Sequence, residues 1–108
     1  MKTFHFGQVV LLRFPHTDGT SVSKRPALVL SDMNDEDIIV CRITSKTYHS
    51  SFDIPVEPSI TNGLMIASVI RVHKIATLAK TSIIRTIGLI EDKERSTVQH
   101  TFYMLLED

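Results

Sequence analysis

Six short runs of β-branched and apolar residues follow one another along this chain: Val9 to Phe14, Ala27 to Leu30, Ile38 to Ile43, Phe52 to Val56, Ile66 to Val72 and Ile83 to Ile90. Clusters of Gly, Pro, Asn, Asp and Ser separate them, and short runs bounded by turn formers read as strands. Only the tail changes period. There Val98, Phe102 and Leu105 recur at i, i+4 and i+7 with Leu106 beside them, behind Asp92 and Glu94, whose charges suit a helix start. The expected fold is mostly β (α+β), with an amphipathic helix over roughly the last fifteen residues. Pro15 to Lys24 carries Asp18-Gly19 and several Ser and Thr residues and reads as a loop, and Asp32 to Asp37 reads as a tight connection. No repeat, linker or low-complexity stretch divides the chain, and its 108 residues suit a single domain, 1–108.

Charge narrows the function. Twelve basic residues balance twelve acidic ones, so the chain as a whole has no field that holds nucleic acid or a membrane surface non-specifically. Any phosphate site must be local. A lone cysteine, Cys41, excludes an internal disulfide and suits a reducing cytoplasm; it falls on the apolar face of its strand and is expected in the core. No apolar run approaches the roughly 18 residues of a membrane span. His5, His16, His49 and His100 lack the close pairing of a zinc site, so neither a metal nor a cofactor is expected.

The stretch Lys24-Arg25-Pro26-Ala27-Leu28-Val29-Leu30-Ser31 supplies the local cation. Proline pushes the residue before it into an extended conformation, so Arg25 is expected to be aimed from the mouth of a strand. Thr44 and Ser45 close a second apolar run, and Arg71 lies within a third. Side chains two apart on a strand share a face. Arg42 therefore goes with Thr44 and Val40, and Arg71 with Val69 and His73, so two cation-bearing faces are available to converge near Arg25. A β-bulge would disturb that arrangement.

An RNA phosphodiester is one anion that such a local site could take, and its cleavage has matching requirements. The 2′-hydroxyl must lose a proton as it attacks the neighbouring phosphorus, charge on the phosphoryl oxygens must be stabilised, and the departing oxygen must gain a proton. Arg25 is the candidate for the charge, because a guanidinium makes paired hydrogen bonds to phosphate and stays protonated. Thr44 adds a hydroxyl donor, and His73 is the candidate proton carrier beside Arg71. Single-stranded RNA also calls for flat side chains on which bases stack. Tyr48, His49 and Phe52 follow Thr44 closely, and Lys46 is available to a neighbouring phosphate. Five Phe, two Tyr and no Trp favour recognition of a short sequence over coating of long strands.

Arg25-Pro26 before an apolar strand and Thr44-Ser45 after one resemble the PemK/MazF-type toxins of bacterial toxin-antitoxin systems. The opening Gly7-Gln8-Val9-Val10-Leu11-Leu12 and Phe14-Pro15-His16-Thr17-Asp18 extend the likeness, which runs from about Gly7 to the end of the chain. The resemblance implies a small SH3-like β-barrel with a C-terminal helix. It also implies a metal-independent, sequence-specific endoribonuclease that leaves a cyclic phosphate, a homodimer with its RNA groove across the interface, and a cognate antitoxin whose extended tail blocks that groove. By the same likeness Arg25, the pair Thr44-Ser45 and Arg71 carry over as site residues; with His73, read from its place beside Arg71, the expected catalytic set is Arg25, Thr44, Arg71 and His73, with Ser45, Lys46, Phe52, Lys24 and His16 along the substrate. His73 stands where some relatives have an aspartate, and Arg42 where many have a proline, so the acid and base stay open. A non-catalytic RNA- or protein-binding barrel and a gyrase-directed toxin of related fold are the alternatives.

Overall fold

The computed structural model describes residues 2–15 and 22–107. Its strands are β1 (Gln8–Pro15), β2 (Val22–Ser31), β3 (Asp37–Thr44), β4 (Asp53–Val56), β5 (Ser68–Ala79) and β6 (Ile83–Leu89), followed by helix α1 (Asp92–Leu105). Each strand falls on one of the six apolar runs, with two extensions. β2 begins at Val22 rather than Ala27, because the polar residues before Pro26 are held extended by pairing with β1 from Pro15 inward. β5 continues past Val72 to Ala79, where Ile75 to Ala79 pair with Cys41 to Asp37 of β3. Neither extension is apolar and alternating in sequence; both are made by the partner strand. The expected loop at 15–24 is accordingly shorter at its far end, and residues 16–21, His16 and Asp18 among them, lie outside the described residues.

All pairings are antiparallel, in the order β4-β5-β3-β2-β1-β6. A strand set closed on itself was the expectation, and here the structure differs: β4 and β6 remain the edges of the hydrogen-bonded sheet. The connection between β4 and β5 bridges them instead. Leu89 donates its N–H to the Thr61 carbonyl at 2.8 Å, and the loop is built around buried Asn62. The Asn62 amide accepts from the N–H groups of Ser59 (3.0 Å) and Leu64 (2.9 Å) and donates to the Glu57 carbonyl (2.9 Å), which satisfies backbone groups that a ladder would otherwise pair. Gly88 of β6 lies so close that a Cβ there would overlap the backbone of Thr61 and Asn62. Gly88→Ala is expected to destabilise the fold by about 1–3 kcal/mol, read as a lower melting temperature, because neither backbone can retreat without breaking the bridge.

Two apolar clusters pack on opposite faces of the sheet. Val9, Leu28, Cys41, Ile43, Ile54, Ile70 and Val72 join Val98 of α1 and Ile90 on one face. Val10, Leu12, Ala27, Val29, Ile38 and Val40 join Phe4 on the other. Cys41 is fully enclosed, and burial pushes its thiol up to about 12, so it packs as a small apolar residue. Helix α1 starts at the acidic residues anticipated, with the Glu94 carboxylate accepting the Glu91 N–H at 3.0 Å. Val98 of the expected stripe is buried, but Thr101 rather than Phe102 is the other buried residue. The Thr101 hydroxyl donates to the Thr97 carbonyl at 2.8 Å and can therefore be buried, while Phe102 stays 36% exposed on a groove between helix and sheet. No helix among the described residues is long and apolar enough to cross a membrane.

Below the sheet the Asp32 side chain is fully enclosed. It accepts the N–H groups of Phe4 (2.7 Å) and Asn34 (2.8 Å) and faces the Lys80 ammonium at 2.9 Å. The Phe4 N–H first, then Lys80, hold its carboxyl at about 2. Asp53 is held at about 2 as well, because hydrogen bonds from Arg71 and Ser50 outweigh the upward push of burial. An unfolded aspartate titrates near 3.9, so both groups stabilise the folded state fully above that pH and lose their contribution as pH falls toward 2. The melting temperature should hold level from neutrality to about pH 5 and drop between about pH 4 and pH 2. A double Asp32→Asn, Asp53→Asn variant should melt lower at neutral pH and show a much shallower acid decline.

Candidate active site

One row of directly opposed residues crosses five strands: Val10 of β1, Ala27 of β2, Arg42 of β3, Arg71 of β5 and Asp53 of β4. Opposed residues in an antiparallel sheet share a face, and so do residues two along each strand. Arg25 and Thr44 therefore stand on the same face as Arg42 and Arg71, as alternation along the strands implies. Arg25 is not at a strand mouth, as the sequence implied, but inside β2 and opposite Leu12. The β2–β3 ladder begins only at Ala27–Arg42, so Pro26, which has no N–H to give, marks the place where β2 stops pairing with β3. Arg25 and Arg42 look into the gap.

A cavity of about 300 Å³ occupies this gap. Leu12, Ala27, Val40, Ile75 and Ala76 line it with carbon, and the cations of Arg25, Arg42 and Lys74 stand around it. Beside it, Arg71 is held from several sides. Its Nε donates to Asp53 Oδ1 at 2.8 Å, its guanidinium lies 3.6 Å from the Tyr48 ring centroid, and its Nη2 is 3.4 Å from His73 Nε2. Only 1% of the Asp53 side chain is exposed, and its second oxygen accepts the Ser50 N–H (2.9 Å) and hydroxyl (2.6 Å). Asp53 thus ties the 45–52 loop and Arg71 together.

A guanidinium only donates, so in this contact His73 Nε2 accepts and the ring proton belongs on Nδ1. Nδ1 is buried and has no partner among the described residues. Any exchange of a proton with a ligand must therefore pass through Nε2. Phe52 lies against the other side of the imidazole, with ring centroids 5.6 Å apart and planes tilted by 47°. The bulge that could have scattered this set does exist. Cys41 pairs with Ile75 but Arg42 with Arg71, so β5 carries Val72, His73 and Lys74 where β3 has no residue between its two. It leaves Arg71 and His73 in contact and brings Lys74 to the cavity wall.

The other expected residues lie at the edge of this set or away from it. Thr44 accepts the Lys46 N–H on its hydroxyl oxygen at 3.2 Å, which leaves the hydroxyl proton to donate. Ser45 turns to the other face and lines a separate pocket of about 210 Å³ with Pro26, Leu64 and Ile66. Lys46 is exposed on the following loop. Lys24 is exposed, opposite Arg13, and alternation sets it on the face away from Arg25, so the structure does not bring it into the cluster. His16 lies outside the described residues. Sequence reasoning did not assign Lys74 or Asp53 to the site, and it offered Tyr48 to RNA bases where the structure engages it with Arg71. Among the described residues no three His, Cys, Asp or Glu side chains gather where they could hold a metal.

Residues 5–106 match the family model described as the PemK-like, MazF-like toxin of type II toxin-antitoxin systems. The chain belongs to this toxin family. Solved structures agree with the fold of the toxin at low sequence identity. A mycobacterial endoribonuclease in complex with its cognate antitoxin superposes with a TM-score of 0.79 at 16% identity, covering 97% of the toxin and 96% of that chain. The Mycobacterium tuberculosis toxin MazF-mt6 gives 0.76 at 17% identity, with 93% and 96% covered. The MazF of a MazE-MazF structure from Deinococcus radiodurans gives 0.77 at 21% identity, with 94% and 93% covered. No curated protein matches the toxin in sequence. At these identities the solved structures speak for the fold, and the family rests on the match over residues 5–106.

Proposed function

We propose that this toxin is an endoribonuclease that cuts single-stranded RNA at a short sequence without a metal ion. The observation that carries this reading is the single sheet face shared by Arg25, Thr44, Arg71 and His73, with Arg25 on an apolar cavity, in a member of a toxin family that includes endoribonucleases. In the proposed reaction the 2′-oxygen attacks the adjacent phosphorus, the P–O5′ bond breaks, and the products are a 2′,3′-cyclic phosphate and a 5′-hydroxyl. Arg25 offers paired N–H groups to the phosphoryl oxygens as their charge rises, and the Thr44 hydroxyl adds a donor from across the gap. Arg71, fixed by Asp53 and Tyr48, holds the flank of the site with little rotamer freedom to lose. His73 Nε2 exchanges the proton, taking it from the 2′-hydroxyl or returning it to the 5′-oxygen, after its contact with Arg71 gives way to RNA. Ser45, Lys46 and Phe52 serve the flanking nucleotides.

The partners follow from the same reading. One relative is described in complex with its cognate antitoxin; in this reading a cognate antitoxin covers the cation-bearing face of the toxin, and a homodimer in the cytoplasm is the working form. Incubating the purified protein with a long mixed-sequence RNA in EDTA tests the proposal. New cyclic-phosphate ends at a recurring short sequence are expected; intact RNA from a folded protein would overturn it and return weight to a binding module or a gyrase-directed toxin.

A further inference from the structure

Arg42 poses an electrostatic problem that the fold leaves unsolved. It is directly opposite Arg71 on the neighbouring strand, and like charges in that relation repel. Arg71 has Asp53 as its counter-charge, whereas Arg42 and Lys74 have no carboxylate partner among the described residues. Both are exposed, and both stand at the cavity that Arg25 also lines. Lys74 reaches that wall only because of the bulge in β5, for a regular strand would carry it to the other face. Arg42 and Lys74, brought together over a carbon-lined hollow with no carboxylate partner among the described residues, are arranged for an anion joined to something flat and apolar. A nucleotide within a strand is such a ligand: phosphate outside, base inside. The cavity's roughly 300 Å³ lies at the small end of ligand sites.

We propose that Arg42 and Lys74 form a second phosphate subsite, binding the backbone next to the phosphate held by Arg25, with the intervening base seated on the floor of Leu12, Ala27, Val40 and Ala76. This rests on the RNA reading above and adds to it a specificity pocket: the base in the hollow is chosen by fit against carbon, and the two cations fix the register of the strand over it. Arg42 and Lys74 are binding residues, and the attack geometry stays with Arg25.

The test measures binding apart from cleavage. A fluorescent, 2′-O-methylated single-stranded RNA of mixed sequence can be bound but not cut, and its affinity is followed against salt. Each phosphate contact on a single strand contributes about 0.7 to the slope of log K against log salt, so Arg42→Gln should lower the slope by about that amount and the double Arg42→Gln, Lys74→Gln variant by about 1.4. Arg42→Lys should restore most of the loss. The melting temperature should be unchanged or higher, since one member of a repelling pair has gone. Unaltered slope and affinity in the folded double variant, with wild type still cutting RNA, would overturn the subsite and leave the proposed function standing. Failure of wild type both to bind the probe and to cut RNA would overturn the two together. Unchanged RNA binding with weakened binding of an acidic peptide would assign the cations to a protein partner and likewise overturn the proposal.

Discussion

Arg25→Ala is expected to reduce RNA cleavage by at least about two to three orders of magnitude, the usual loss when a donor to the developing charge of a transition state is removed. The melting temperature should stay near that of wild type. The side chain is exposed, and Pro26 keeps the strand extended whatever precedes it. The loss should fall on kcat more than on KM, because the guanidinium matters most when charge builds on the phosphoryl oxygens. Arg25→Lys should recover little: an ammonium restores the charge but not the paired geometry. A folded Arg25→Ala protein that cuts at the wild-type rate would remove Arg25 from the chemistry.

Asp53→Ala is the second large effect, and it joins stability to activity. The substitution leaves Arg71, whose side chain is only 12% exposed, without its counter-charge, and it frees the Ser50 N–H and hydroxyl that hold the 45–52 loop. Losing a hydrogen-bonded partner of a charged group this enclosed costs about 2 kcal/mol, which in a domain of this size lowers melting by roughly 8–16 °C. Activity at a temperature where the variant is still folded should also fall, since Arg71 would no longer be oriented against Tyr48 and His73. Asp53→Asn keeps an acceptor for Ser50 and should lie between the two. If Asp53→Ala melts as wild type does and cuts RNA normally, the Arg71 anchoring described above has no part in the site.

Much of this architecture is legible in the residues. Period-two runs bounded by turn formers located all six strands, and Asp92 with Glu94 located the helix start, because both signals are local. Alternation also sorted Arg42 with Thr44 and Arg71 with His73, which is why the cation-bearing face could be anticipated. What escaped was set by partners distant in sequence. The first half of β2 is polar and contains Pro26, so nothing in it announces a strand until β1 lies alongside. The bulge at Val72, His73 and Lys74 carries no Gly or Pro to mark it, yet it decides that Lys74 reaches the cavity. Nothing near Asp53 in the sequence marks Arg71 as its partner, which only the pairing of β4 with β5 selects. Phe102 was expected in the core from its spacing, but a threonine that satisfies its own hydroxyl took the buried position.

The most direct test of the account concerns the nucleophile. Once the cut sequence is mapped, two oligonucleotides are compared in EDTA: the all-RNA strand, and the same strand with a single 2′-deoxy nucleotide on the 5′ side of the scissile bond. The account predicts rapid cutting of the first to a cyclic phosphate and no cutting of the second, although both bind with similar affinity. Cutting of the deoxy strand at a comparable rate would contradict it, because the attacking oxygen would then not be the one that Arg25, Thr44 and His73 are proposed to serve.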